Sequence, residues 1–340
     1  MSQFDKTMFD RLNTLVIQHE YYEYAYCRSI QAVETSTRYD DRTLLPLIGP
    51  SGSGKSTVIK LVHNHFQELA ADAGQPCRIK YMALPRNKST KAVLMKMQYV
   101  LGHPMYFQGS EAEMQLRIVE LCRRQSIKTF LLDELQHSVS PNGSVNFDLA
   151  DLFKTLLDEA SVNIVAAGLE DSFSLLFSNE QLERRSLQHI SLPRFNWEDE
   201  KQRDVFIGVI EGFREGLDKI RMPDFNNVDA AFRWFVGTGG LIGQVHKVFR
   251  AVLDLAEAKN RVRITWDDID EAHQTAVLYR GPQVRPFSKS FKVDDVSAGI
   301  EHASRIARRN ETEASTPGKK RPSMRGATAA ARARAAKKDF

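Results

Sequence analysis

Short apolar runs recur along residues 43–194 and are separated by longer amphipathic stretches. The short runs predict strands at residues 44–48, 78–84, 128–132, 163–167 and 187–192. The stretches between them repeat apolar positions with helical spacing and predict helices at residues 57–71, 90–101, 111–124 and 147–159. Because strands alternate with helices, we expect an α/β domain with a parallel sheet that is covered by helices on both faces.

The pattern changes after Pro193, where amphipathic stretches follow one another without a convincing strand. They predict helices at residues 199–215, 228–235, 241–258 and 266–279. Beyond residue 281 the apolar periodicity fades, and residues 311–340 are of low complexity, which favours disorder. We therefore expect an N-terminal helical segment, an α/β domain, a small all-α domain and a largely disordered tail, with the bounds 1–42, 43–194, 195–280 and 281–340.

Charge is distributed unevenly along the chain, whose formal net charge is +4. Residues 301–340 hold 11 of the 47 Lys and Arg residues but only 4 of the 43 Asp and Glu residues. A basic tail on a slightly acidic body suits an anionic partner such as DNA. A tail that only solubilises the protein is the alternative that the sequence leaves open.

The sequence favours a cytoplasmic protein without a membrane span. No run approaches the length of apolar sequence that a membrane helix needs, and the first residues lack the basic and apolar regions of a signal peptide. The three cysteines, Cys27, Cys77 and Cys122, are far apart and form no metal-binding pattern.

A phosphate-binding loop follows the first predicted strand. The sequence GPSGSGKS, residues 49–56, fits the pattern G-x-x-x-x-G-K-[ST] and lies between a strand and a helix, as that loop requires. Its glycines let backbone N–H groups turn towards a polyphosphate, while Lys55 reaches the β- and γ-phosphates and Ser56 contacts Mg²⁺. The residues that we predict to bind ATP here are Gly49, Gly52, Ser53, Gly54, Lys55, Ser56 and Thr57.

The third predicted strand runs into two acidic residues, Asp133 and Glu134. An apolar strand that ends in Asp-Glu is typical of a Walker B motif. We predict that Asp133 contributes to ATP binding and, with Ser56, holds Mg²⁺, and that Glu134 orients and polarises the attacking water. An acidic strand end that merely caps a helix is the alternative.

Further segments are typical of AAA+ ATPases. Arg184 and Arg185 precede the fifth strand, opposite the P-loop edge. From there a guanidinium could reach the nucleotide of a neighbouring subunit. We prefer Arg185 slightly for this role, and an ordinary surface arginine is the alternative. The glycine-rich turn at residues 237–240 leads into a predicted helix, an arrangement that is typical of the lid domain of AAA+ proteins. The usual lid arginine is missing, and Gln244 or Lys247 could replace it.

The polar residue that usually senses the γ-phosphate stays unassigned in this sequence. The segment at residues 163–171 occupies the place of the strand that carries it, but the strand tip reads Ala-Ala-Gly. The fold class that we predict is α/β: a AAA+ P-loop NTPase with a parallel sheet flanked by helices, followed by a small all-α lid and a disordered basic tail.

Five segments together resemble the TniB/TnsC family of AAA+ transposition regulators, and within it the short TnsC proteins of CRISPR-associated transposons. The resemblance extends over about residues 10–280. The segments that carry it are GPSGSGKS (49–56), RIKYMALP (78–85) with its helix ending LGHP (101–104), FLLDELQH (130–137), QLERRS with ISLPRF (181–195) and GTGGLIGQVHKV (237–248).

The resemblance implies an ATPase that uses ATP and Mg²⁺ to assemble as a homo-oligomeric ring or filament on double-stranded DNA, without reading its sequence. It also implies a place between a TniQ-like targeting protein or complex and the transposase subunits, with hydrolysis resetting the assembly. In a AAA+ ring, loops that follow the second strand line the central pore. Phosphate-contacting residue types occur there, and we predict DNA contacts by Arg86, Lys88, Thr90 and Lys91; a solvated polar loop is the alternative.

Two other functions share the ATP site. A replication initiator or helicase loader would also be a AAA+ DNA protein, but initiators usually carry a helix-turn-helix or winged-helix domain after the lid, and only the basic tail follows here. A small-molecule kinase would need neither arginines that act on a neighbour nor a helical lid after the sheet. We therefore favour the transposition regulator.

Overall fold

A five-stranded parallel sheet organises the first two thirds of the protein. The computed structural model describes residues 6–39, 41–86, 89–138, 147–176, 179–277, 284–292 and 296–315. The strand order is β2-β3-β4-β1-β5, and every pair is parallel. The strands are β1 (Leu44–Ile48), β2 (Ile79–Ala83), β3 (Thr129–Asp133), β4 (Asn163–Gly168) and β5 (Ile190–Ser191).

Helices cover both faces of the sheet, which explains why β1, β3 and β4 are buried at every position. Alternate residues of β1 face opposite ways: Leu45 and Leu47 pack with Val58 on one side, and Leu44 packs with Phe153 on the other. The predicted α/β domain is thereby confirmed. Its helices are α2 (Glu20–Tyr39), α3 (Lys55–Asp72), α4 (Thr90–Val100), α5 (Glu111–Arg124), α6 (Phe147–Asp158), α7 (Glu170–Leu176) and α8 (Glu180–Arg185).

Local signals account for most of these bounds. Ser110 and Glu113 form a capping box at the start of α5, the one helix whose limits match the prediction at both ends. The fifth strand is shorter than expected, because only two of its residues pair with β1. The short helices α7 and α8 were not predicted, since neither is long enough to show helical periodicity.

The second unit is the predicted helical lid. Four of its helices surround an aromatic core in which Trp234 stacks on Phe249, with ring centroids 4.6 Å apart. Phe225 and Phe287 pack edge-on against Trp234. These helices are α9 (Glu200–Gly216), α10 (Val228–Thr238), α11 (Ile242–Ala258) and α12 (Trp266–Ala276).

The lid extends further along the chain than expected. Phe287 is buried in its core, and Arg233 donates hydrogen bonds to the carbonyl oxygens of Pro286 and Ser288. A further helix, α13 (Val296–Ser315), packs on α10 and buries Ala303 against the same core. The expectation of a largely disordered chain from residue 281 is therefore wrong for residues 284–292 and 296–315, while residues 316–340 lie outside the described residues.

The N-terminal segment divides between the two units. Its first helix, α1 (Lys6–Thr14), buries Leu12 in the lid core, whereas α2 buries Ala25 and Val33 against the sheet. Residues 15–19 connect the two helices and cross from the lid to the α/β domain. None of the described helices is long and apolar enough to span a membrane.

Candidate nucleotide site

The loop between β1 and α3 has the conformation of a phosphate cradle. Gly52 and Gly54 have φ values of 85° and 100°, a region that side chains disfavour. At Gly49 a Cβ would lie 2.2 Å from the carbonyl oxygen of Leu192, so only glycine fits beside the neighbouring strand. The loop ends at the N-terminus of α3, whose free N–H groups and dipole favour an anion.

Lys55 is the buried cation of this loop. Its Nζ donates hydrogen bonds to the carbonyl oxygens of Gly49 and Pro50, both at 2.7 Å. Burial lowers the pKa of Lys55 to about 8, while the charges of Asp133 and Glu134 act in the opposite direction. Two carbonyl dipoles compensate the ammonium group incompletely, so an anionic phosphate would be a stronger partner.

The two acidic residues of the predicted Walker B motif lie where β3 ends. Asp133 is buried, its Oδ1 accepts the Glu134 N–H at 2.8 Å, and its Oδ2 lies 3.4 Å from the Tyr81 hydroxyl. Burial and the Asp133 charge raise the pKa of Tyr81, so this hydroxyl stays protonated as a donor. Glu134 has a φ of 62°, and its Oε2 accepts a hydrogen bond of 2.5 Å from the Gln136 amide.

A cavity of about 340 Å³ joins these groups. It is a pocket in the size range of small-molecule sites. Its walls come from the P-loop, from the residues after β3, from the crossing segment and from the lid. The lining residues are Asn13, Leu15, Val16, Ile17, His19, Tyr22, Ser51, Gly52, Gly54, Lys55, Ser56, Thr57, Asp133, Glu134, Gln136, Phe213, Ile242, Gly243 and His246.

Most of the predicted ATP-binding residues line this cavity, but two do not. Ser53 is buried within the loop, and Gly49 supports the loop from behind, where its N–H faces the Gly168 carbonyl oxygen at 3.3 Å. The sequence reasoning missed the whole wall from Asn13 to Tyr22. The one signal for it was the apolar run Leu15-Val16-Ile17 between two helices.

The lid touches the P-loop directly. The Gly243 N–H donates to the Gly52 carbonyl oxygen at 2.8 Å, and a Cβ on Gly243 would lie 2.9 Å from the Gly52 Cα. Neither of the residues expected in place of the lid arginine lines the cavity: Gln244 is buried and Lys247 is exposed. His246 lines it instead, with its Nε2 3.3 Å from the Leu12 carbonyl oxygen and its pKa lowered by burial.

The tip of β4 offers no polar side chain to the cavity. The strand ends at Ala167 and Gly168, and a Cβ on Gly168 would lie 2.7 Å from the Leu135 Cβ. Glu170 and Asp171 follow at the start of α7 and are exposed. They line a separate cavity beside Gly49 and Pro50 rather than the nucleotide cavity.

The two arginines lie at the opposite edge of the sheet from the P-loop. Ser186, the residue after Arg185, bridges to Leu44 at the amino end of β1, whereas the P-loop leaves the carboxyl end of that strand. Arg185 forms an ion pair with Asp158. The Arg184 side chain is 82% exposed, and its guanidinium nitrogen Nη2 lies 3.9 Å from the Glu180 Oε2. A strand of five residues separates the two edges by about 16 Å, so neither guanidinium reaches the cavity of its own chain.

The residues that we predicted to contact DNA differ in the exposure of their side chains. Arg86 and Lys91 are exposed at either side of the start of α4, and Lys88 lies outside the described residues. Thr90 is buried, so the prediction that its side chain contacts DNA is wrong for this structure. Thr90 is the first residue of α4, whose N-cap Ser89 accepts the Ala92 N–H.

The donor set fits Mg²⁺ held together with a nucleotide. A hydroxyl from Ser56 and a carboxylate from Asp133 both line the cavity, and a protein-bound Mg²⁺ usually takes one or two carboxylates besides phosphate oxygens and water. Within the described part of the chain, no group of three or more His, Cys, Asp or Glu residues could hold a metal on its own.

The parallel sheet, the P-loop and the helical lid define a AAA+ P-loop nucleotide-binding protein. The sequence matches the family described as "Bacterial TniB protein" over residues 21–197, which is just over half of the chain. The protein therefore belongs to the TniB family, as its resemblance to TniB/TnsC regulators implied.

Solved structures of similar fold include two ORC proteins. The Aeropyrum pernix ORC2 protein, in ADPNP and ADP complexes, has a TM-score of 0.60 at 15% identity, covering 80% of this chain and 72% of that one. The Aeropyrum pernix ORC1 protein in complex with DNA has a TM-score of 0.59 at 16% identity, covering 77% and 67%. At these identities the likeness concerns the fold alone.

One curated relative comes from another class. A cytidylate kinase of Limosilactobacillus fermentum is 25% identical over 187 residues, which are 50% of this chain and 74% of the kinase. Half of the present chain lies outside this similarity.

Proposed function

We propose that this protein is an ATP-dependent regulator of DNA transposition that assembles on double-stranded DNA. The observation that carries the proposal is a nucleotide cavity closed by the lid in a chain of the TniB family. Binding at this cavity would connect the α/β domain, the lid and the crossing segment. ATP would therefore act as an assembly switch that fixes the relative positions of three parts of the chain.

The chemistry at the phosphate end follows from the side chains present. The N–H groups of the P-loop and the Lys55 ammonium would hold the β- and γ-phosphates. Ser56 and Asp133 would hold Mg²⁺, which neutralises charge on the phosphates when bound. Glu134 would orient the attacking water and accept its proton, and hydrolysis would reset the assembly.

The outer end of the cavity suits a purine base. Among the lining residues, Leu15, Val16, Ile17 and Ile242 provide apolar surface, and Tyr22 and Phe213 add rings. His19, whose pKa burial lowers to about 4, would be a neutral neighbour of the base at physiological pH. Stacking and apolar contact favour a nucleobase in such a place.

A neighbouring copy would complete the site. Among the described residues that line the cavity, Lys55 is the single Lys or Arg, although ATP carries several negative charges. Arg185 or Arg184 of one subunit would face the cavity of the next in a homo-oligomeric ring or filament, and hydrolysis would then depend on assembly.

The DNA contact would involve the backbone and not the bases. Arg86 and Lys91 flank the start of α4, and Lys88 lies between them in the sequence. Several subunits that each contribute such contacts would bind strongly in sum. Target selection through a TniQ-like protein and recruitment of transposase subunits are the partner functions that we propose. The basic residues 316–340 are a candidate segment for DNA or for one of these partners.

A second function, initiation of replication or helicase loading, has the likeness to the ORC proteins in its favour. That likeness concerns a fold shared by many AAA+ proteins. Membership of the TniB family favours the regulator of transposition.

DNA binding measured by fluorescence anisotropy, with a labelled duplex and a slowly hydrolysed ATP analogue, tests the proposal. We expect binding that needs nucleotide and that Lys88→Glu with Lys91→Glu weakens at unchanged ATP affinity. With ATP in place of the analogue, we expect Glu134→Gln to prolong binding. A charge-matched control, Lys60→Glu with Lys201→Glu, replaces exposed lysines of α3 and α9. Equal loss in the control pair would remove the start of α4 from the interface, and binding that ignores nucleotide would contradict the proposed switch.

A further inference from the structure

The short 3-10 turn after the Walker B residues, Leu135–Ser138, carries a polar side chain into the nucleotide cavity. This residue is Gln136, which the sequence reasoning assigned no role. Leu135 is fully buried, and it fills the space that a side chain on Gly168 would need. Gln136 is half-buried and lines the cavity next to Glu134.

The orientation of the Gln136 amide is fixed by chemistry. Its nitrogen lies 2.5 Å from the Glu134 Oε2, and only the NH₂ group can donate to a carboxylate. The opposite assignment would place two acceptors against each other. The other end of the amide, Oε1, is buried and has no hydrogen-bond partner among the described residues.

The turn is held on several sides. Glu134 has a positive φ of 62°, which reverses the chain directly after β3 and brings Gln136 back towards the Glu134 carboxylate. The C-terminal helix α13 packs against the same turn. A hydrogen bond of 3.0 Å from Arg194 to the Ser304 hydroxyl ties α13 to the connection that leads into the lid. The Gln136 side chain is therefore presented from a supported backbone.

We propose that Gln136 is the positioning residue for water activation: its amide NH₂ fixes the Glu134 carboxylate, and its Oε1 accepts a hydrogen bond from the attacking water. One water would then donate one hydrogen bond to Glu134 and one to Gln136, which leaves a lone pair free for the γ-phosphorus. Glu134 takes the proton as the new P–O bond forms and the bond to ADP breaks. This inference rests on the proposed ATP hydrolysis by Glu134.

The test is a double-mutant cycle on steady-state ATP hydrolysis by the full-length protein, assembled on duplex DNA. Gln136→Leu removes both polar ends of the side chain, and we expect kcat to fall at least about tenfold while the Kd for an ATP analogue stays within about twofold. In the Glu134→Gln background the same change should alter the residual rate by less than about twofold, because a positioned water gains little once its proton acceptor is lost. Gln125→Leu, which removes an amide hydrogen bond to the Leu101 carbonyl oxygen far from the cavity, is the matched control.

A second variant controls for a loss of activity that comes from the packing of the introduced leucine. Gln136→Glu keeps the shape and the acceptor oxygen but sets a second carboxylate against Glu134. Like charges raise carboxylate pKa values, so we expect the acid limb of the pH–rate profile to move to higher pH.

The outcomes separate the two proposals. A wild-type protein without ATPase activity, or a Glu134→Gln variant that turns over normally, contradicts the proposed function itself. Loss of activity in Glu134→Gln with wild-type kcat in both Gln136 variants contradicts only the positioning role. Equal fold losses from Gln136→Leu in both backgrounds also contradict it, because the two side chains would then act independently.

Discussion

The phosphate end and the outer end of the cavity are built in different ways. The phosphate end comes from two short segments of the α/β domain, the P-loop and the end of β3, and each follows a buried strand. The outer end comes from the crossing segment at residues 13–22, from Phe213 in α9 and from residues 242–246 at the start of α11. One end is thus a property of a single domain, while the other exists only when the lid and the α/β domain are in contact.

Because one end is built by a single domain and the other by two, we expect the two ends to contribute differently to nucleotide binding. The phosphate end lies within one domain and follows directly on two paired strands, so we expect phosphate binding there to depend less on the lid. The outer end depends on one backbone hydrogen bond between Gly243 and Gly52 and on the packing of α1 with the lid. We infer that affinity for phosphates resides at the first end and that coupling to lid position resides at the second.

Replacing the central cation of the phosphate end should have the largest effect. We expect Lys55→Ala to weaken binding of any nucleoside triphosphate by at least about 100-fold, because a buried charge-assisted contact is lost. Titration calorimetry with an ATP analogue measures this loss. Lys60→Ala on the exposed side of the same helix is the control and should bind normally; a similar Kd for both variants would contradict the assignment.

A methyl group at the contact between lid and P-loop should have a smaller effect. Gly243→Ala places a Cβ 2.9 Å from the Gly52 Cα, so the two backbones must separate. We expect ATP affinity to fall about tenfold, a loss of about 1.4 kcal/mol, with little loss for pyrophosphate. Gly208→Ala, on α9 where a Cβ meets nothing within 4 Å, is the control. Equal losses for ATP and pyrophosphate would show that the two ends are not separable.

The pH dependence of binding should follow Lys55. Burial lowers its pKa to about 8 in the nucleotide-free protein, and phosphate binds the protonated form. The contribution of Lys55 to affinity should therefore be constant below about pH 7, and affinity should fall by up to about tenfold per pH unit once the pH passes about 8. Circular dichroism over the same range checks that the fold persists. A flat affinity up to about pH 9.5 would mean that this amine stays charged without nucleotide.

The parts that the sequence predicted share one property: their signals are local. The glycine spacing of residues 49–56, the acidic pair after β3 and the capping box of α5 each lie within a few neighbouring residues. The residues from Asn13 to Tyr22 carry no such pattern, because their place in the cavity follows from the packing of α1 on the lid. The burial of Thr90 shows the same limit, since a polar residue in a helix start reads as exposed until its tertiary contacts are known.

The C-terminal part illustrates a further limit. Residues 296–315 are amphipathic but of low mean hydropathy, because much of the buried face of α13 consists of small residues, with Ala303 and Ala307 packed and Gly299 close to Phe232. Small residues add little to the hydropathy of a segment although they allow close helix packing. The sequence therefore predicted disorder where a helix connects the lid core with the turn that carries Gln136.

Electron microscopy of the negatively stained protein tests the central claim most directly, that ATP switches assembly on DNA. The purified protein would be imaged with Mg²⁺ and a non-hydrolysable ATP analogue, with and without a short duplex, beside the Lys55→Ala variant. We predict rings or filaments that require nucleotide, grow on the duplex and are lost in Lys55→Ala. Monomers under every condition, or identical assemblies without nucleotide, would contradict the account.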